Sequence, residues 1–211
     1  GNTVVVKPSP STPIIAAKFM ELVAEAGYPP GVINLLTGED AVLGDALVDH
    51  PRVRFINFTG SVATGIRIYE RAAKVQPGQF WLKRVFLEMG GKDALIVDET
   101  ADLDLAADAA VASAFGFQGQ KCSAMSRAIV VDDVYDEFVA KFKARAEKLT
   151  VGPADENHDV TAVINERQFD KILGYIEAGK SEGKLVLGGE KAEGEGWFIK
   201  PTIFADVPGS S

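Results

Sequence analysis

Three short apolar runs, each followed by a helical stripe, constrain this chain more than any other feature. Thr3-Val-Val-Val6, Gly31-Val-Ile-Asn-Leu-Leu36 and Val53-Arg-Phe-Ile-Asn-Phe58 are short, apolar and bounded by turn residues, and they read as buried strands. After the first, Thr12 and Pro13 form a helix start, an N-cap with Pro at the first helical position. Ile14, Ile15, Lys18, Phe19, Leu22, Val23 and Ala26 then put the apolar residues on one helical face, and Gly27 closes it. Helices over about 41–48 and 62–74 follow the second and third strands. Strand and helix alternating at this spacing predict an α/β fold with a parallel sheet and right-handed crossovers. Ligands on such sheets sit beyond the carboxyl ends of the strands, where Lys7, Gly38 and Gly60-Ser61 fall.

Past Pro77-Gly78 the alternation is interrupted, and a domain change is expected between about Pro77 and Glu88, giving parts 1–87 and 88–211. In the second part Ala94-Leu-Ile-Val97 and Ala128-Ile-Val-Val131 read as strands. Asp102 can cap a helix running through Ala114, whose many alanines suggest close packing on both sides. Val134, Phe138, Val139 and Phe142 stripe one further helix, and Phe169, Ile172, Leu173 and Ile176 another. Lys184-Leu-Val-Leu187 and Phe198 to Phe204 are expected to close the chain as strands.

The 211 residues are enough for one large domain or two small ones. A formal charge of −8 argues against a nucleic-acid surface, which needs clustered Lys and Arg. No run approaches the length of a membrane span. The single cysteine excludes an intrachain disulfide and fits a reducing, cytoplasmic compartment. Gly1 falls inside what reads as a strand, so a piece of a longer protein is expected.

That cysteine, Cys122, lies in Gly119-Gln-Lys-Cys-Ser123, among small, polar and cationic neighbours rather than apolar ones. A nearby cation favours the thiolate, which is the nucleophile. An inert buried thiol is the bland alternative. The second chemical stretch is Glu88-Met-Gly-Gly-Lys92, a carboxylate at a strand end followed by paired glycines. Glu88 can act as a base, and the glycines let backbone or ligand approach closely. Gly60-Ser-Val-Ala-Thr-Gly65 starts a helix, whose free amides attract phosphate, though it also reads as an ordinary tight turn. It is not the dinucleotide fingerprint, because Val62 stands at the second glycine position. Lys7 could reach a ribose or phosphate from a neighbouring strand. His50 and His158 are not obviously paired with Cys122, which disfavours a Cys–His hydrolase. One Cys and two separated histidines make no usual metal site, so no metal is expected.

Gly1-Asn-Thr-Val-Val-Val-Lys-Pro-Ser9, Pro30-Gly-Val-Ile-Asn34, Phe58-Thr-Gly-Ser61, Glu88-Met-Gly-Gly-Lys92 and Gly119-Gln-Lys-Cys122 together resemble the aldehyde dehydrogenase superfamily, in its order and spacing. The members that the chain most resembles, through Ile66-Arg-Ile-Tyr-Glu-Arg71, Gln76-Pro-Gly-Gln79, Lys92-Asp-Ala94 and Ala114 to Ala124, oxidise L-glutamate γ-semialdehyde to L-glutamate in proline catabolism. Oxidation of another semialdehyde, or a non-catalytic nucleotide-binding fragment of such an enzyme, is the alternative.

The resemblance implies an aldehyde dehydrogenase-like α/β fold, with a Rossmann-type nucleotide-binding part and an α/β catalytic part. It implies Cys122 as nucleophile and Glu88 as the base that activates hydrolytic water. Lys7 and Ser9 are implied at the adenosine ribose, Gly60 and Ser61 at the pyrophosphate, with Gly65 counted among the cofactor-binding positions. Ser123 is a candidate for the substrate carboxylate, against a loop-capping role. The implied cofactor is NAD; Pro10 stands where many NAD-selective members carry Glu, which leaves NADP open. The partners implied are a small-molecule aldehyde and, for the full-length protein, further copies of itself. Other implied site groups lie before Gly1 and after Ser211, so little turnover is expected from these residues alone.

Overall fold

The computed structural model describes residues 1–209, and the chain divides into two compact units, Gly1–Met89 and Gly90–Ser211. The fold is α/β. In the first unit β1 (Val4–Val6) pairs parallel with β2 (Ile33–Leu35), and α1 (Pro13–Glu25) makes the crossover. After α2 (Asp40–Asp49), β3 (Phe55–Thr59) pairs parallel with β4 (Arg84–Glu88), with α3 (Val62–Ala72) between them. The expectation of one sheet through the first three strands is therefore corrected: β2 and β3 share no ladder. The edge of β3 is taken by β4, and both are five residues long and in register throughout, from Phe55 opposite Arg84 to Thr59 opposite Glu88. The sequence puts the change of domain before Glu88; the geometric division follows Met89, because the β3 ladder holds β4 to its last residue.

The amphipathic stripe of α1 forms a helix, yet the helix buries no residue, and Ile14 is 78% exposed. Charge joins α2 to α3: Arg67 pairs with Asp45, and Arg71 with Asp49. The Arg67 guanidinium holds the Asp45 carboxyl below the usual carboxylate range. Lys83 donates to the carbonyls of Val48 and His50, satisfying acceptors that the end of α2 leaves open. Burial pulls the Lys83 ammonium below the ordinary lysine range.

The second unit opens with a βαβ crossover. β5 (Asp93–Val97) runs parallel to β6 (Met125–Val130), linked by α4 (Leu103–Phe115). Asp102 caps α4, its carboxylate accepting from the amides of Asp104 and Leu105 at 3.0 and 3.1 Å. α5 (Asp132–Ala146) packs on α4, and their facing side chains make the core: Ala107, Ala110, Phe138, Phe142 and Ala146, with Val97 beneath. The rings of Phe138 and Phe142 stack at 5.8 Å, and Phe115 stacks on Phe142 at 5.9 Å. The small Ala107 and Ala110 let the two helices approach closely. Packing on both sides of α4 is a second expectation corrected: Leu105 and Ala109 are exposed, as is Ile96 on β5. Asp104 and Asp108 on α4 pair with Lys141 and Arg145 on α5.

α6 (Glu166–Gly179) follows, and β7 (Lys184–Leu187) pairs antiparallel with β8 (Ile203–Ala205). The strand expected from Phe198 to Phe204 is thus shorter and later. Pro201 has no amide to donate to a ladder, and before it only an isolated bridge joins Ile199 to Lys191.

Phe138 fills the centre of this core, so Phe138→Ala should cost about 3–5 kcal/mol in urea unfolding. The pairs at Asp104 give a pH signature. Hydrogen bonds from Lys141 and Arg145 hold its carboxyl below the usual range. A carboxylate depressed in the folded state contributes stability above its unfolded pKa and loses it as pH falls through the folded value. Acid melting curves from pH 5 to pH 2 should therefore show a smaller loss in Asp104→Asn than in the parent, and 0.5 M salt should narrow the difference.

Candidate active site

The segment 116–124 carries Cys122 from the end of α4 to the start of β6. Its backbone is unusual. Phe117 (φ 55°, ψ 36°) and Gln118 (φ 55°, ψ 26°) are both left-handed, and Gly119 (φ 66°) continues the run. For side chains other than glycine this region costs on the order of 1–3 kcal/mol each, and it persists only where the surroundings impose it. Glycine is required at 119 for a further reason: a Cβ there would stand 2.8 Å from the Ala114 carbonyl oxygen.

Hydrogen bonds fix both ends of the segment. The Gln120 amide donates to the Phe117 carbonyl at 3.0 Å, and Gln120 Oε1 accepts from the Ile164 amide at 3.1 Å. The Gln118 carboxamide meets Thr161 in either orientation of its end group. With nitrogen outward it donates to Thr161 Oγ1 at 2.9 Å and accepts from Gln120 Nε2 at 3.1 Å. With oxygen outward it accepts from both the amide and the hydroxyl of Thr161 at 2.9 Å. At the far end the Met125 amide donates to Ser113 Oγ at 3.0 Å. Cys122 is exposed at the tip, with Ser123 exposed beside it.

Gly91 explains one of the paired glycines. A Cβ at Gly91 would stand 3.1 Å from the Cys122 carbonyl oxygen, so its absence lets the backbone lie against the cysteine's own. Arg127 donates to the Lys92 carbonyl at 3.0 and 2.6 Å, holding that stretch to β6. An open groove of about 390 Å³ borders the loop; Lys92, Lys121, Lys171, Ser126 and Tyr175 are among its lining residues. Three ammonium groups suit an anionic guest. Neither this groove nor the roles of Gln118 and Gln120 were visible in the sequence, since Thr161, Ile164 and Lys171 reach the loop only through the fold.

The remaining sequence-derived site residues lie in the first unit. Glu88 is exposed at the end of β4, and its carbonyl accepts from the Gly60 amide at 3.0 Å, so these two positions are brought together. A Cβ on Gly60 would stand 2.4 Å from the Phe58 ring. Ser61 is the N-cap of α3: its Oγ accepts from the Thr64 amide at 3.2 Å and donates to Thr64 Oγ1 at 2.8 Å. The amides of Val62 and Ala63, in the first helical turn, lie too early in the helix to find an acceptor within it. Gly65 is buried one turn further on, where a Cβ would stand 2.5 Å from Met89 Sδ; its small size serves packing there. Lys7 follows β1, donates to the Pro8 carbonyl at 2.9 Å and pairs with Asp40 at the start of α2. Ser9 Oγ accepts from the Ser11 amide at 3.3 Å.

His50 Nδ1 accepts from the Arg52 amide at 3.2 Å, and His158 meets Glu156 at 3.1 Å. Among the described residues no group of three or more His, Cys, Asp or Glu could hold a metal ion, and no helix is long and apolar enough to cross a membrane.

A model of the aldehyde dehydrogenase family matches residues 1–211. The chain belongs to the aldehyde dehydrogenase family. Within the family it is 59% identical over 208 residues to the 1-pyrroline-5-carboxylate dehydrogenase of Bacillus subtilis (strain 168), covering 98% of this chain and 40% of that protein. The crystal structure of 1-pyrroline-5-carboxylate dehydrogenase from Thermus with bound NAD superposes with a TM-score of 0.97 at 55% identity, over 99% of this chain and 40% of that one. Proline utilization A (PutA) from Bdellovibrio bacteriovorus, inactivated by N-propargylglycine, matches with a TM-score of 0.96 at 45% identity, over all of this chain and 22% of that one. The chain thus spans 40% of the length of the curated family members it matches.

Gly119 tests the loop directly. Gly119→Ala should lower stability by about 1–3 kcal/mol in denaturant unfolding, since alanine must occupy left-handed backbone with its Cβ against a carbonyl.

Proposed function

We propose that the protein carrying this chain oxidises L-glutamate γ-semialdehyde to L-glutamate with NAD, through a thioester on Cys122. The observation that carries the reading is an exposed thiol at the tip of a braced loop in a family member, with Gly91 lying against its backbone. Likeness to the 1-pyrroline-5-carboxylate dehydrogenases and the lysine-lined groove support a substrate that bears a carboxylate.

The thiolate of Cys122 attacks the aldehyde carbon, forming a C–S bond and placing negative charge on the former carbonyl oxygen. Loss of hydride from that carbon leaves a thioester on Cys122. Glu88 then takes a proton from water, whose oxygen attacks the thioester; the carboxylate product departs and the thiolate returns. Glu88 precedes Gly91 by three residues in the chain. Ser123 donates its hydroxyl to the substrate's own carboxylate.

The donor set of the first unit fits an anionic dinucleotide. Val62 and Ala63 offer amides at the positive end of α3, and Lys7 an ammonium beyond β1. Those residues, with Gly60, Ser61 and Ser9, would hold NAD. Bound NAD supplies the hydride acceptor. Pro10 puts no carboxylate where it would repel a 2′-phosphate, so NADP is accepted as well.

The test is a panel of L-glutamate γ-semialdehyde, shorter semialdehydes and uncharged aldehydes on the complete gene product, scored with NAD and with NADP. Cys122→Ala should lower oxidation by more than about 10³-fold while cofactor binding is retained. Glu88→Gln should slow thioester hydrolysis by about 10²–10⁴-fold, leaving a burst of reduced cofactor. Full oxidation by Cys122→Ala would dispose of the mechanism, and preference for an uncharged aldehyde would dispose of the substrate.

A further inference from the structure

We infer that Gln118 and Gln120 are positioning residues for the nucleophile, clamping the left-handed turn before Cys122 to the segment 160–164. The inference rests on the reading of Cys122 as nucleophile.

Three observations carry it. Phe117 and Gln118 occupy left-handed backbone that neither side chain favours, so something outside the turn must hold them there. The two glutamine side chains supply the hold: Gln120 Oε1 takes the Ile164 amide at 3.1 Å, and the Gln118 carboxamide meets Thr161 at 2.9 Å. The segment they grip is itself anchored. Val160 and Val163 are buried, the Val160 amide donates to the Thr150 carbonyl at 2.9 Å, and the Val163 amide donates to the Trp197 carbonyl at 3.0 Å. The clamp therefore ties a strained turn to fixed backbone some forty residues further along, 43 positions for Gln118 to Thr161 and 44 for Gln120 to Ile164.

Releasing it lets the turn relax toward ordinary backbone angles. The chain then carries Cys122 with it, because Gln120 precedes the cysteine by two residues. A thiol whose position is averaged over several conformers spends less time in line with its electrophile, and displacements near 1 Å are enough to cost about 100-fold in rate. Neither glutamine touches the reacting atoms. Their effect belongs in the rate constant of attack rather than in the affinity for cofactor.

The experiment uses the complete gene product and four variants: Gln118→Leu, Gln120→Leu, Thr161→Val and Thr161→Ser. Each is read for alkylation of Cys122 by iodoacetamide as a function of pH, with the modified peptide identified by mass spectrometry, for kcat and KM, for NAD affinity and for melting temperature. Both leucine variants are expected to lower kcat by about 10- to 100-fold with NAD affinity unchanged, and to move the limiting high-pH alkylation rate away from the parent value. Thr161→Val should shift the same way by a smaller factor, and Thr161→Ser, which keeps the hydroxyl, should return to the parent value. Parent alkylation rates in both leucine variants would overturn the inference, as would equal losses in Thr161→Val and Thr161→Ser. The alkylation readout needs no aldehyde turnover, so an inactive parent with a clamp-dependent thiol would count against the proposed activity alone.

Discussion

A strained turn held in place by distant hydrogen bonds sets where the exposed thiol of this chain lies. Residues 117–119 run left-handed, a path that only glycine takes willingly, and Gly119 sits where any side chain would meet the Ala114 carbonyl. The turn survives because α4 behind it is packed rigidly on α5 and because Gln118 and Gln120 reach across to the backbone of 161–164. Cys122 is exposed at the tip of that segment.

The two units are built differently. The second has a true core, with Phe138, Phe142 and Val97 closed over by Ala107 and Ala110. The first buries little beyond Val48, Gly65, Ala72 and Gln79 among the described residues, and charge does much of its joining. Arg67 and Arg71 bind α3 to α2, and Lys83 closes the end of α2. Ion pairs of this exposure contribute modestly and weaken with salt. The apolar stripe of α1 meets β2 but leaves Ile14, Ile15, Phe19 and Leu22 exposed.

Much of the fold was legible because short-range physics decides it. The helices followed from Pro13 at the start of α1, where Thr12 makes no side-chain cap, from the Asp102 cap and from the spacing of Phe138 and Phe142, all set by neighbours within a turn. Strand pairing was less legible, since a ladder depends on what lies beside a strand in space. Hence β3 took β4 where β2 was expected, and Pro201 delayed the last strand to Ile203. The candidate site divides in the same way. Cys122 and Glu88 stood out by residue type and setting. The helix-capping part played by Ser61 and the packing part played by Gly65 emerged only when Thr64 and Met89 were seen against them.

The sequence by itself determined the α/β alternation, the family and the one candidate thiol, because each is written in local periodicity or in motifs a few residues long. Only the tertiary structure decided how that thiol is held. The partners that hold it, Thr161, Ile164, Ser113 and Gly91, are close to Cys122 through folding and not through the chain. A hydrogen bond between residues more than forty positions apart leaves no periodic trace in the sequence, and only folding brings donor and acceptor within its 3 Å reach.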